Sequence, residues 1–232
     1  MGTIRLTDVS LLSGKRGTGK TYFCKYFIKE HLLGKVKVFI YDPLYQYGDM
    51  GDVVHSLDKI KSNFRKDLKK AIVFQPTPER DDDEHFDIVM KWVYLNGNMF
   101  LVGEEINEYM TPYKITPHFK TLMRRGRNKG IGLLAVSHRP AHISLNFLNF
   151  IDHWFIFRQD LPSDLKRLEE YLLRTDAKFD GDYIARLPDR YFIYYYTDRD
   201  TGRSVAMLHQ PVKSNIKDTN IKEENPFLNS EW

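Results

Sequence analysis

VSLLSGKRGTGKTYFCKYFIKEHLL, residues 9–33, is the stretch that decides the fold. An apolar run from Val9 to Leu12 leads into GKRGTGKT at residues 14–21, and a helix-forming stretch from Tyr22 to Leu33 follows. This is a phosphate-binding loop in its strand-to-helix context. Gly14, Gly17 and Gly19 let the backbone curl. Consecutive N–H groups along Gly14, Lys15, Arg16, Gly17, Thr18, Gly19, Lys20 and Thr21 then converge on phosphate oxygens at the positive end of the helix. Lys20 is expected to reach the β- and γ-phosphates of ATP, and the Thr21 hydroxyl to ligate Mg2+.

A chain of 232 residues, 42% of them hydrophobic, buries one sizeable α/β core. The formal charge of +4 is modest, so nucleic-acid binding has to be argued from local clusters. A single cysteine, Cys24, excludes an intramolecular disulfide and a cysteine-rich metal site, and its place in the helix predicts a small buried apolar side chain. The N-terminus shows no basic-then-apolar leader, and no apolar run approaches the roughly 18 residues that span a bilayer. A cytosolic or virion-associated protein is expected.

Short β-branched and aromatic runs alternate with helical patterns, the signature of a largely parallel sheet covered on both faces. Strands are predicted at 8–13, 36–41, 71–75, 98–103, 131–137 and 153–157, with helices between them. Met90, Val93 and Tyr94 share one helix face before Gly97, and Phe119, Leu122 and Met123 another after Pro117; both stripes read as core. Asp81, Asp82, Asp83 and Glu84 read as a solvated helix start. RYFIYYYT, DRDTG and RSVAMLHQ predict an antiparallel hairpin. Residues 1–212 are therefore expected to form one ATPase domain and the polar residues 213–232 a flexible tail. Lys59, Lys61, Arg65, Lys66, Lys69 and Lys70 have helix-like spacing, with Ile60, Phe64 and Leu68 on another face. They read either as the outside of a helix, the favoured choice, or as phosphate contacts in a DNA channel.

MFLVGEEINEY, residues 99–109, is an apolar strand ending in two acids. Alone, such a pair is equally a solvated helix start. Downstream of a phosphate loop it reads as a Walker B strand, with Glu104 on the metal side and Glu105 orienting the attacking water. Aspartate is usual at the metal side, so Glu104 implies a shifted or more water-mediated magnesium contact.

LMRRGRNKGIGLLAVSHRPAHIS, residues 122–144, completes the pattern. Arg124, Gly126, Arg127, Gly130, Ser137, Arg139 and Pro140 resemble, in order and spacing, the arginine-rich turn, apolar strand and polar-Arg-Pro motif of the FtsK/HerA superfamily of DNA-pumping ATPases. The resemblance extends to Asp42, Pro43 and Tyr47 and spans roughly residues 8–160. It implies a RecA-like P-loop core and, within the superfamily, looks most like the genome-packaging ATPases of tailless icosahedral viruses with internal membranes. The 13 residues before Gly14 leave no room for the β-barrel of cellular HerA proteins or the membrane and DNA-orienting domains of FtsK proteins.

What the resemblance implies is an ATP-hydrolysing translocase acting on double-stranded DNA as a homo-oligomeric ring, a hexamer or pentamer. Such a ring would dock on a capsid vertex or virion membrane protein, in the host cytoplasm or on the virion. His138 stands at the polar sensor position, commonly an amide or hydroxyl residue; as a sensor it makes activity pH-dependent, and otherwise it is an ordinary strand-end histidine. Arg124 and Arg127, with Arg125 as a third, are candidate arginine fingers reaching a neighbour's nucleotide, or with Lys129 a basic, DNA-facing patch. Two other classes stand beside this one. They are an assembly or secretion ATPase resembling the filamentous-phage export proteins, and a small-molecule P-loop kinase.

Overall fold

The structure is a computed structural model and describes residues 4–60, 66–177, 179–197 and 201–212. In chain order the elements are β1 (Val9–Ser13), α1 (Lys20–Phe27), β2 (Lys37–Tyr41), β3 (Gly51–Val54), β4 (Ala71–Phe74), α2 (Asp83–Asn96), β5 (Met99–Gly103), α3 (Pro117–Arg125) and β6 (Ile131–Ser137). They continue with α4 (Leu145–Leu148), β7 (His153–Ile156), α5 (Pro162–Leu172), α6 (Gly181–Ala185), β8 (Phe192–Thr197) and β9 (Ser204–His209). The nine strands form one sheet in the order β3-β4-β2-β5-β6-β1-β7-β8-β9. All pairs from β3 to β7 are parallel. The last two pairings, β7 with β8 and β8 with β9, are antiparallel.

The central strands are continuous apolar runs because both faces are covered. Alternate side chains therefore enter two cores. Leu11, Phe39, Leu101 and Leu133 pack with Phe86, Val89 and Val93 of α2 and Phe119 and Leu122 of α3. Leu12, Ile40, Val102 and Leu134 pack with Phe23, Cys24 and Phe27 of α1 on the other side. Met90 and Met123 lie in the first core and Tyr94 packs against it, as their helical spacing predicts. Asp82 caps α2, accepting the His85 N–H at 2.8 Å, so the acidic run does start a helix.

The basic segment and three elements differ from the sequence expectation. Residues 57–59 form only a short turn and 66–70 are irregular, with 61–65 outside the described residues. The carbonyls that a helix would use internally are taken from afar: Leu68 accepts the Gly34 N–H, and Asp67 and Lys70 accept the buried Lys37 ammonium. The edge strand β3 and the helices α5 and α6 were not assigned from sequence. β3 is four residues long and exposed at both middle positions, too short for a periodic signal. The expected tail, 213–232, lies outside the described residues.

Register fixes where function can sit. Ser13 pairs with Ser137 and Gly103 with Ala135 and Tyr41, so β1 ends level with β6, and β5 and β2 end together two residues before them. The loops that follow share one rim, the carboxyl edge where parallel sheets bind ligands.

Helix α1 is anchored there by Phe23, whose ring centroid lies 4.8 Å from those of Phe155 and Phe192. Phe23→Ala should lower stability by about 3–5 kcal/mol in a denaturant melt. An unchanged midpoint would mean that α1 is held by other contacts.

Candidate active site

The phosphate loop runs from the end of β1 into α1. Gly17 and Gly19 have φ of 84° and 97°, in the left-handed region that favours glycine. The loop is tied to three other segments. Gly14 N–H donates to the Ser137 carbonyl at 3.3 Å, Lys15 N–H to the Arg158 carbonyl at 2.9 Å, and the Thr18 carbonyl accepts the Arg190 N–H at 2.9 Å. The Thr18 hydroxyl closes the loop on itself by donating to the Lys15 carbonyl at 2.9 Å. Lys15 reaches Asp160 at 2.6 Å in an exposed pair, and Arg16 is exposed. No side chain caps α1, so its first-turn N–H groups point into the loop and favour an anion.

Three predicted residues meet in a line. The Lys20 ammonium is 2.7 Å from His138 Nδ1, and His138 Nε2 is 2.6 Å from Glu105 Oε1. An ammonium only donates and a carboxylate only accepts, so the imidazole accepts at Nδ1 and donates from Nε2. Lys20 also donates to the Lys15 carbonyl at 3.0 Å. Burial pushes the Lys20 ammonium down to about 8 against the opposing pull of Glu104 and Glu105. Glu105 holds its position with a left-handed backbone, φ 50°, unusual for a side chain of this size.

Glu104 is buried, and its Oε2 accepts the Tyr47 hydroxyl at 3.0 Å. Burial raises its carboxyl to about 7, with the Tyr47 hydrogen bond pulling the other way and the Glu105 charge adding to the rise. Tyr47 is set by Asp42, which accepts the Gln46 and Tyr47 N–H groups and the Gln75 amide, each at 2.9 Å. Gln46 in turn accepts the Thr21 hydroxyl at 3.0 Å. Thr21 and Glu104 are thus linked through one network of hard oxygen donors, the set suited to magnesium. Among the described residues no three His, Cys, Asp or Glu side chains form a cage. Cys24 is fully buried, and burial raises its thiol, which makes it a packing residue.

The arginine-rich turn lies elsewhere. Arg124 and Arg125 are exposed at the end of α3. Arg127 pairs with Asp152 at 3.3 Å and Asp8 at 3.5 Å, the residues just before β7 and β1. The five residues of β1, about 16 Å, separate them from the phosphate loop. Arg139, beside the sensor position, is held by the buried Asp164 at 2.8 Å. Gln46, Gln75, Asp164 and Arg190 were missed in the sequence, since each acts through a partner far along the chain and has no motif of its own.

A glycine loop between β1 and α1, paired acids after β5 and a polar residue after β6, on a largely parallel sheet, define a P-loop ATPase core. No family model matches the chain. Its sequence is similar to DNA packaging ATPase P9 of Enterobacteria phage PRD1, 24% identical over 214 residues that cover 87% of this chain and 86% of that one. The fold matches the genome packaging NTPase B204 from Sulfolobus turreted icosahedral virus 2 in complex with ATP-gammaS, with a TM-score of 0.70 and 20% identity over 90% of this chain and all of that one (100%). It also matches VirB4 of Thermoanaerobacter pseudethanolicus, with a TM-score of 0.63 and 10% identity over 89% of each chain. The chain is therefore similar in sequence to a DNA packaging ATPase, and it shares its fold with B204 and VirB4.

The raised Glu104 carboxyl has a stability consequence. Between about 4.5 and 7 the folded state keeps a proton that the unfolded chain has lost, so stability falls as pH rises through that window. Glu104→Gln should be more stable than wild type at pH 7.5, without nucleotide or magnesium, and should lose that advantage by pH 4.5. Parallel denaturant melts check this; equal stability at both pH values would mean that Glu104 is not a buried acid.

Proposed function

We infer that this chain hydrolyses ATP to drive double-stranded DNA into a viral particle. The observation that carries the reading is the line from Lys20 through His138 to Glu105, at the rim where the phosphate loop, the acid pair and the sensor strand end. The similarity to P9 supplies the substrate, since that relative is named a DNA packaging ATPase.

In this reading the loop amides and Lys20 bind the β- and γ-phosphates, and His138 releases its Nε2 N–H from Glu105 to donate it to a γ-phosphate oxygen. Glu105 orients the attacking water and accepts its proton. Thr21 and Glu104 hold magnesium, which when bound supplies charge that neutralises phosphate oxygens. Burial of Lys20 and Glu104 keeps water away from these charges and strengthens their fields. The motor works as a homo-oligomeric ring, a hexamer or pentamer, docked on a capsid vertex or virion membrane protein, in the host cytoplasm or on the virion. Among the described residues no helix is long and apolar enough to cross a membrane. Residues 1–212 act as one ATPase domain.

Arg124 and Arg127 sit across the sheet from their own phosphate loop, so a guanidinium from this turn serves a nucleotide only in a second copy. Asp8 and Asp152 hold Arg127 in place at 56% side-chain exposure, open enough to meet a neighbour.

Lys20→Ala should weaken nucleotide binding and turnover together. Glu105→Gln should keep binding and lose about 10²–10⁴ in rate, in an ATPase assay with and without double-stranded DNA. His138→Gln should stay active and His138→Ala should not; equal rates in both would make His138 structural.

Mixing Lys20→Ala with an Arg127→Ala or Arg124→Ala variant should restore activity above the sum of the parts, because some interfaces regain a complete site. If both arginine variants hydrolyse ATP normally but show weaker DNA stimulation and a shallower salt dependence of DNA affinity, these residues contact DNA phosphates instead.

A further inference from the structure

Two side chains flank the phosphate loop on the side away from His138. The Arg190 guanidinium carbon lies 4.7 Å from the centroid of the Tyr22 ring. Tyr22 directly follows the metal-side Thr21, and Arg190 precedes β8 in the sheet. Their approach is built into the fold. Arg190 has a left-handed backbone, φ 70°, which a long side chain adopts only where its surroundings impose it. Its N–H is bound to the Thr18 carbonyl at 2.9 Å. A β-carbon on Gly19 would lie 2.8 Å from Arg190 Cγ and 3.3 Å from its Cα, so the two backbones touch only because residue 19 is glycine. Asp189 is ion-paired with Arg158 at 2.7 Å, and Arg158 donates to the Leu187 carbonyl at 3.3 Å. The Arg158 carbonyl accepts the Lys15 N–H. The segment 187–190 is thereby fastened to the phosphate loop at both ends of that loop.

Strand order gives this placement a meaning. β6 and β5 lie on one side of β1 and carry His138 and Glu105; β7 and β8 lie on the other and carry Arg158 and Arg190. Lys20 leans toward His138, which marks that flank as the γ-phosphate end. A nucleotide laid along the loop then has its nucleoside toward Tyr22 and Arg190. A guanidinium held over a phenol ring brings together two flat groups of the kind on which aromatic bases stack.

We propose that Tyr22 and Arg190 form the subsite that takes the nucleobase of the bound nucleotide, by stacking and without reading its edge. The inference rests on the phosphate loop being a nucleotide site. Stacking uses the π-face that every base has, so adenine and guanine nucleotides gain alike.

The test is isothermal titration of the full chain with magnesium and ATP, GTP or inorganic tripolyphosphate. Arg190→Ala should weaken ATP and GTP about tenfold and leave tripolyphosphate unchanged. Arg190→Lys keeps the charge and loses the plane, so it should behave like Arg190→Ala, whereas Tyr22→Phe should bind as wild type. Equal weakening of tripolyphosphate, or rescue by Arg190→Lys, would make Arg190 a phosphate contact and overturn the proposal. Unchanged ATP binding in both Arg190 variants would overturn it too. Lys20→Ala separates the premise: if it leaves tripolyphosphate and ATP binding intact, the phosphate-loop reading itself is wrong.

Discussion

The position of β1 between β6 and β7 is the constraint from which the site follows. Its neighbours are parallel to it and in register, Ser13 beside Ser137 and Ile156, so the chain leaves all three strands at one level. Gly14 can then bond the Ser137 carbonyl, and His138 arrives beside the loop without any side chain having to stretch. A slip of one residue between β1 and β6 would put Leu11 and Leu12 out of phase with the two cores and move His138 away from the loop. The packing of two apolar faces therefore enforces the geometry of a polar site.

That site is costly to hold together. Burying an ammonium and a carboxylate costs both their hydration, and the opposite shifts of Lys20 and Glu104 express that cost even though each charge favours the other. The chain offsets it with fixed partners: Tyr47 on Glu104, His138 between Lys20 and Glu105, and Asp42 bracing Tyr47 through the backbone. A nucleotide that draws Lys20 onto phosphate breaks one of these contacts and leaves Glu105 tied to His138 alone. In the proposed mechanism the energy of binding is thus coupled to the placement of Glu105.

The opposite rim has a different construction. Asp8 joins Arg127 to the buried His153, which accepts the Tyr194 hydroxyl at 2.8 Å, so the arginine turn is braced from inside the sheet. In the proposed ring, a guanidinium held this far from its own loop would act on the nucleotide of a neighbouring copy.

Much of this was legible in the chain itself. The glycine loop, the buried strands, the acid pair after Val102 and Gly103 and the closing hairpin are all local signals, set by backbone freedom and by apolar periodicity over a few residues. Residues 66–70 show the limit of such signals, because the Asp67 and Lys70 carbonyls are taken by Lys37 of β2 and the Leu68 carbonyl by the Gly34 N–H. The sequence by itself singled out the glycine loop and the acid pair as candidates for binding phosphate and orienting water. Only the tertiary structure decided that His138, 118 positions from Lys20, stands between it and Glu105, that Arg190 closes on Gly19, and that Arg127 faces the other rim. The physical reason is that such neighbours are chosen by strand order and register, which are properties of the whole packed sheet and leave no trace in the spacing of residues along one strand.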